Sequence, residues 1–131
     1  MTYIPTNFVI KNVGFATASG VSLTATSSPG TKIASVTANT TKDIYAVLVI
    51  GSVGLHNGGT SAVNETIQVF IDNNYVNAGV TTVAASAYVQ ATVNYIFTNI
   101  SPGPHTIGIA GYGGSLTAQY AELTVLLVGY P

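Results

Sequence analysis

Apolar side chains recur at every second position along most of this chain, and no stretch shows the 3.6-residue spacing of an amphipathic helix. Val21, Leu23 and Ala25 alternate with Ser22, Thr24 and Thr26. Ile67, Val69 and Ile71 alternate with Thr66, Gln68 and Phe70. The longest run places Ala87, Val89, Ala91, Val93, Tyr95 and Phe97 on one face, with Gln90, Thr92, Asn94 and Thr98 on the other. His105, Ile107 and Ile109 form a shorter run. Turn residues punctuate these segments at Ser28-Pro29-Gly30, His56 to Thr60, Pro102-Gly103-Pro104 and Tyr112-Gly113-Gly114. Asp72-Asn73-Asn74 reads as a tight hairpin, because Asp and Asn tolerate positive φ. Segments centred near Phe8, Leu23, Ile33, Leu48, Val69, Val76, Val93, Ile107 and Val125 predict about eight or nine strands. The expected fold is all-β: one antiparallel two-sheet sandwich over residues 1–131, a jelly roll of about eight strands, with an immunoglobulin-like sandwich as the alternative. Pro5 delays strand entry, and residues 1–15 stand apart as a possible extension.

Two segments break the alternation. Ile44 to Ile50 is apolar on both faces. The last segment places Ala121, Leu123, Val125 and Leu127 on one face, while the other runs from Tyr120, Glu122 and Thr124 to Leu126 and Val128. An antiparallel sheet with one wet face should alternate, so a strand that does not is covered twice. With no helix to provide the second cover, another subunit is expected to supply it.

Charge points the same way. The chain has three Lys or Arg in total and four carboxylates, and charged residues make up 5% of it. A typical soluble domain carries about 25%. Soluble monomers use charge to stay apart. Nucleic acid is excluded as a partner, because phosphate binding needs a cluster of Lys or Arg. The longest apolar run is far short of the roughly 18 residues of a membrane-spanning helix. No membrane insertion is expected, and an outer-membrane barrel is disfavoured because the strands lack aromatic girdles. Residues 1–7 carry neither a basic region nor an apolar core of a secretory signal. The absence of Cys excludes thiol catalysis and thiolate metal sites.

Four stretches, Asp43–Ile50, Thr66–Asn74, Ile100–Ile109 and Ala121–Val128, resemble the buried strands, tight turn and corner of C1q/TNF-like jelly rolls, as also found in viral spikes and tail fibres. The resemblance spans residues 43–128 and rests on apolar phase and turn placement. The whole chain, poor in charge and rich in Thr, Ala, Val and Tyr, also resembles the filament subunit of spherical, piliferous viruses of hyperthermophilic archaea. That resemblance implies a thermostable virion filament or surface projection without catalytic residues.

The residues that could carry chemistry have simpler readings. His56 sits in a Gly-rich loop and His105 at a strand start, and no third His or Cys completes a metal site. Asp72 is explained by its turn, and Asp43 and Glu65 lie at strand starts, where exposure is common. Asp72-Asn73-Asn74 offers oxygens to calcium but lacks further acids. No Gly-x-Ser-x-Gly elbow occurs. Three Asn-x-Ser/Thr sequons, at Asn39, Asn64 and Asn99, match what chance supplies in a chain this rich in Asn, Ser and Thr. No enzyme activity, cofactor or metal is expected.

The function that follows is structural: a subunit that assembles with copies of itself, extracellularly or at a virion surface. Phe8, Ile10, Leu126 and Val128 are the expected inter-subunit residues. In one geometry sandwiches pack around a threefold. In another, residues 1–15 add as a strand to the next subunit's sheet. The alternative is an adhesin head that holds a host-surface receptor or glycan through His56, Asn57 and Tyr112.

Overall fold

A computed structural model describes residues 7–131. Its strands are β1 (Val9–Leu23), β2 (Thr31–Thr40), β3 (Ile44–His56), β4 (Val63–Ile71), β5 (Asn74–Val83), β6 (Tyr88–Thr98), β7 (Gly103–Tyr112) and β8 (Leu116–Gly129). They form two four-stranded sheets, ordered β1-β8-β3-β6 and β2-β7-β4-β5. Every pairing is antiparallel. Apart from the β4–β5 hairpin, each strand crosses to the opposite sheet, and the first strand lies beside the last. This is jelly-roll connectivity. An immunoglobulin sandwich would pair its first two strands in one sheet, so the order decides between the two expected topologies. Two separate sheets also replace the single closed ladder of a barrel.

The alternation of the sequence becomes the inner surface of the sandwich. Val47, Val49, Val53 and Leu55 of β3 meet Ile67 and Val69 of β4 and Ile107 and Ile109 of β7 in one core. Leu123, Val125 and Leu127 of β8 complete it. These side chains are nearly all withdrawn from water, at about 1.5–3 kcal/mol each.

Three expectations are revised. The segments near Phe8 and Leu23 are one 15-residue strand, and Ala25 lies beyond its end. The strand starts at Val9 and pairs with the chain's own β8, Val9 with Gly129 through Leu23 with Leu116. Residues 9–15 are therefore committed to this sandwich, which leaves a shorter extension than 1–15; residues 1–6, with Pro5, lie outside the described residues. The third revision is Phe70, which occupies an outward position of β4 yet is fully buried. Tyr75 stacks on it at 4.8 Å and Lys32 lies 5.5 Å above its ring. The β1–β2 loop also folds over this outer surface, where Gln68 donates to Ser28 Oγ and accepts from the Gly30 amide. Gly108, paired with Phe70, makes this possible: a Cβ there would lie 2.8 Å from the ring and 2.2 Å from the Ala34 carbonyl.

Candidate functional site

The outer face of the β1-β8-β3-β6 sheet is divided along its length. Ladder register places side chains in rows across the four strands. One row is Ile10, Val128, Ala46 and Thr98; the next is Val13, Leu126, Leu48 and Ile96; the third is Phe15, Thr124, Ile50 and Asn94. The fourth, Thr17, Glu122, Ser52 and Thr92, is polar throughout. The face is thus apolar toward the C-terminal end of β8 and polar toward the other end. Phe15 is 73% exposed, Ile10 59% and Ile96 58%, whereas Leu48, Leu126 and Val128 in the middle of the sheet are half-buried.

Aromatic rings close the apolar end. Phe8 stacks on Tyr45 at 4.7 Å, and Tyr130 meets Tyr45 edge-on at 5.9 Å. All three remain partly exposed. Beside them Lys11 pairs with Asp43 at 3.2 Å. The Thr41 hydroxyl and the Lys11 ammonium both bond the Asp43 carboxylate and hold its pKa below the ordinary value. At the polar end, Tyr120 donates to Glu122 at 2.7 Å and Gln90 donates to Ser52. His56 lies flat on Tyr88, 4.2 Å between centroids.

Phe8, Ile10, Leu126 and Val128 therefore share this end of the molecule, with Ile10 directly opposite Val128. Phe8 packs with Tyr45 and Tyr130 of its own chain. Val13, Phe15, Ile50 and Ile96 belong to the same surface, although the sequence does not single them out. Ile96 does carry a signal: it is the one aliphatic residue on the side of the Ala87 to Thr98 run that otherwise holds Tyr88, Gln90, Thr92, Asn94 and Thr98.

His56, Asn57 and Tyr112 do not form one patch. Asn57 is buried, donates to the Ser61 and Val83 carbonyls and accepts from the Gly59 amide, so its side chain fastens the β3–β4 loop. Tyr112 lies on the opposite sheet, paired with Thr66, and its hydroxyl accepts from Asn77. His56 instead borders a shallow cleft of about 320 Å³ with Ser22, Thr24, Ser115 and Thr117.

His105 and Asp72 form an ion pair. Nδ1 lies 2.6 Å from Asp72 and Nε2 2.6 Å from the Ser101 carbonyl. The Ser101 carbonyl and the ionised Asp72 carboxylate only accept, so this geometry favours the protonated ring, which donates from both nitrogens. The hydrogen bonds to Asp72 and Ser101 raise the His105 pKa above its ordinary value against the opposing effect of burial. Partial burial pushes the Asp72 carboxyl up, but the bonds from His105 and the Thr106 amide outweigh it and hold the pKa below its usual value. Both Asp72 oxygens are thus occupied within the chain, which leaves little for a calcium ion at this turn. Among the described residues, no group of three or more His, Asp or Glu side chains could hold a metal ion.

Glu65 departs most from its reading. It is the third residue of β4, but points inward in phase with Ile67 and Val69 and is fully buried. Oε1 accepts from the Gly114 amide at 3.1 Å, and Oε2 has no partner. Burial pushes its pKa up to about 7, with the Gly114 amide pulling weakly the other way.

No family model matches the chain, and no curated protein sequence matches it. Solved structures do. A chain of the T13 IBDV viral particle aligns over 90% of this chain and 32% of its own length, with TM-score 0.50 and 12% identity. The VP2 subviral particle of infectious bursal disease virus gives TM-score 0.49 and 15% identity over 88% of this chain and 32% of that one. A CBM22-1 xylan-binding domain from Paenibacillus barcinonensis gives TM-score 0.46 and 11% identity over 95% and 87%. This chain spans about a third of the viral chains it matches. At this identity the likeness to the viral-particle chain is one of fold alone, the two-sheet jelly-roll sandwich.

Proposed function

We propose that the chain is a non-catalytic structural subunit that assembles with copies of itself, at a virion surface or outside a cell, through the apolar half of the β1-β8-β3-β6 face. The observation that carries this is the presence of Ile10, Val13, Phe15, Ile50 and Ile96 together on one solvent-facing sheet surface. Contiguous apolar surface of this kind is rare on a monomer. Four strands about 4.8 Å apart, over the roughly six residues per strand that the three apolar rows span at about 3.4 Å each, give a patch of roughly 20 by 20 Å. That supplies about half of the ~800 Å² per partner of a stable interface, the aromatic end and the adjoining polar rows forming the rest. A second copy fits better than a charged partner, because Glu122 is the one ionisable carboxylate in these rows and Lys11 is already paired.

The fold of the viral particle chain is consistent with the virion setting. Sheet-to-sheet packing replaces strand donation as the favoured contact, since Val9 to Phe15 is already paired with β8. A capsid, a spike built on a symmetry axis and a filament of the archaeal-virus kind are all compatible with it.

The test is sedimentation velocity of the chain from micromolar to millimolar concentration, beside a Phe15→Lys/Ile96→Lys double variant. Both side chains project into solvent, so the variant should keep the fold. The natural chain should associate, and the variant should need at least 100-fold higher concentration. A natural chain that stays monomeric at millimolar concentration rejects the reading.

A further inference from the structure

Opposite the apolar end, where the β1–β2, β3–β4, β5–β6 and β7–β8 loops gather, the buried Glu65 carboxyl has no role in the assembly surface. We propose that this carboxyl is a protonation-dependent latch, which in its neutral form holds the β7–β8 turn closed against the end of the sandwich.

The turn, Gly113 to Ser115, is tied at two adjacent amides. Gly114 donates to Glu65 Oε1 at 3.1 Å, and Gly113 donates to the Ala25 carbonyl at 3.0 Å. Gly113 sits at φ +144°, and a Cβ there would fall 2.1 Å from the Asn64 carbonyl. The turn is therefore pressed onto the start of β4, and its release would also free the start of the β1–β2 loop. The other carboxyl oxygen, Oε2, crowds above Gly111 beside the Leu23 and Ile67 methyl groups and has no hydrogen-bond partner. Such a site tolerates a neutral acid far better than an ion, whose desolvation nothing offsets.

Among the described residues, no charged group acts on it. β5 presents Thr81 opposite Glu65. β7 presents Gly111 and Tyr112, whose hydroxyl bonds Asn77 on the outer surface. β1 presents Leu23. His56, at the same end, lies on Tyr88 on the far side of the other sheet.

The sign follows from the raised value. Burial lifts the Glu65 pKa from 4.5 to about 7. The closed turn is therefore fully favoured below about 4.5, and that advantage is lost as pH rises through about 7. Above that point the ion is present in both states and the loss levels off.

The experiment is a carbon-13 titration of the Glu65 carboxyl in the full chain, with amide exchange at Gly114 corrected for intrinsic rate, from pH 4.5 to 8.5, in the natural chain and Glu65→Gln. The carboxyl should titrate near 7. The opening equilibrium at Gly114 should rise on the order of 100-fold and then flatten. At every pH it should exceed that at the core amide of Val49, which opens only with the whole sandwich and shares the rise because the unfolded chain also releases the Glu65 proton. Glu65→Gln should show no rise. A carboxyl midpoint near 4.5, or an equal rise in both proteins, overturns the proposal. If Glu65→Gln does not fold, the natural chain decides alone: a carboxyl midpoint near 7 with Gly114 opening more readily than Val49 at every pH supports the latch, and a midpoint near 4.5 or Gly114 opening only with Val49 overturns it. Because the turn lies at the end opposite the apolar rows, the result does not depend on association.

Discussion

At the level of single residues, local roles are legible in the sequence and distant pairings are not. Asp72 reads as a turn residue and adopts φ 53° there. His105 reads as the start of a strand and lies in β7. Their ion pair is not legible, because it joins residues 33 apart whose proximity depends on β4 lying beside β7. Glu65 misleads for a related reason: position at a strand start says little about exposure when the side chain is in phase with the core. The His105–Asp72 pair makes a pH prediction. Its contribution is complete only while the carboxyl is ionised and the ring protonated. The stability due to His105 is present below its unfolded value of about 6.5 and is lost as pH rises through the higher folded value. The Asp72 share is present above about 3.9 and is lost as pH falls through the lower folded value. His105→Gln should therefore cost roughly 1–2 kcal/mol near pH 5.5 and clearly less near pH 9. Urea unfolding at the two pH values measures the difference; an equal loss at both would show that the ring contributes by packing alone.

Among the elements, β1 is the hardest to read and β4, β6 and β7 the easiest. The inward positions of β1 beyond its first residues are Gly14, Ala16 and Ala18, too small to mark a core-facing strand, so its two bulkier ends look like separate segments. These small side chains suit a position opposite β2, where a Cβ on Gly14 would lie 3.3 Å from Val36. β6 shows its phase because large apolar and polar residues alternate cleanly over most of its length. Removing residues 1–15 should do more than abolish association. It strips Val9 to Phe15 from β8 and leaves backbone amides and carbonyls of Thr124 to Gly129 without that partner, which creates a new open edge. The truncated chain should lose on the order of 2–4 kcal/mol in urea unfolding and aggregate on a sizing column. A truncation as stable as the full chain would mean that the first half of β1 is dispensable, and would restore the longer extension.

For the whole molecule, two features of the sequence matter most: strands apolar on both faces, and a near absence of charge. The two such strands, β3 and β8, prove to be the central neighbours of one sheet. Their second apolar faces therefore merge into one surface. The strand order is not legible, since alternation fixes which side faces inward but not which strand is adjacent. The surface also needs β1 and β6 to widen it, and Phe15 and Ile96 join only once register is known. The lack of Cys allows a direct test of whether sister copies cover this surface. Ile96→Cys introduces a single thiol on the apolar rows, and Ser35→Cys introduces one on the outer surface of β2. Maleimide labelling is then timed across a thousandfold range of protein concentration. The thiol at position 96 should become protected as concentration rises, while that at 35 reacts at a constant rate. Equal labelling of both at every concentration would show that the apolar face stays in water, and would contradict assembly through it.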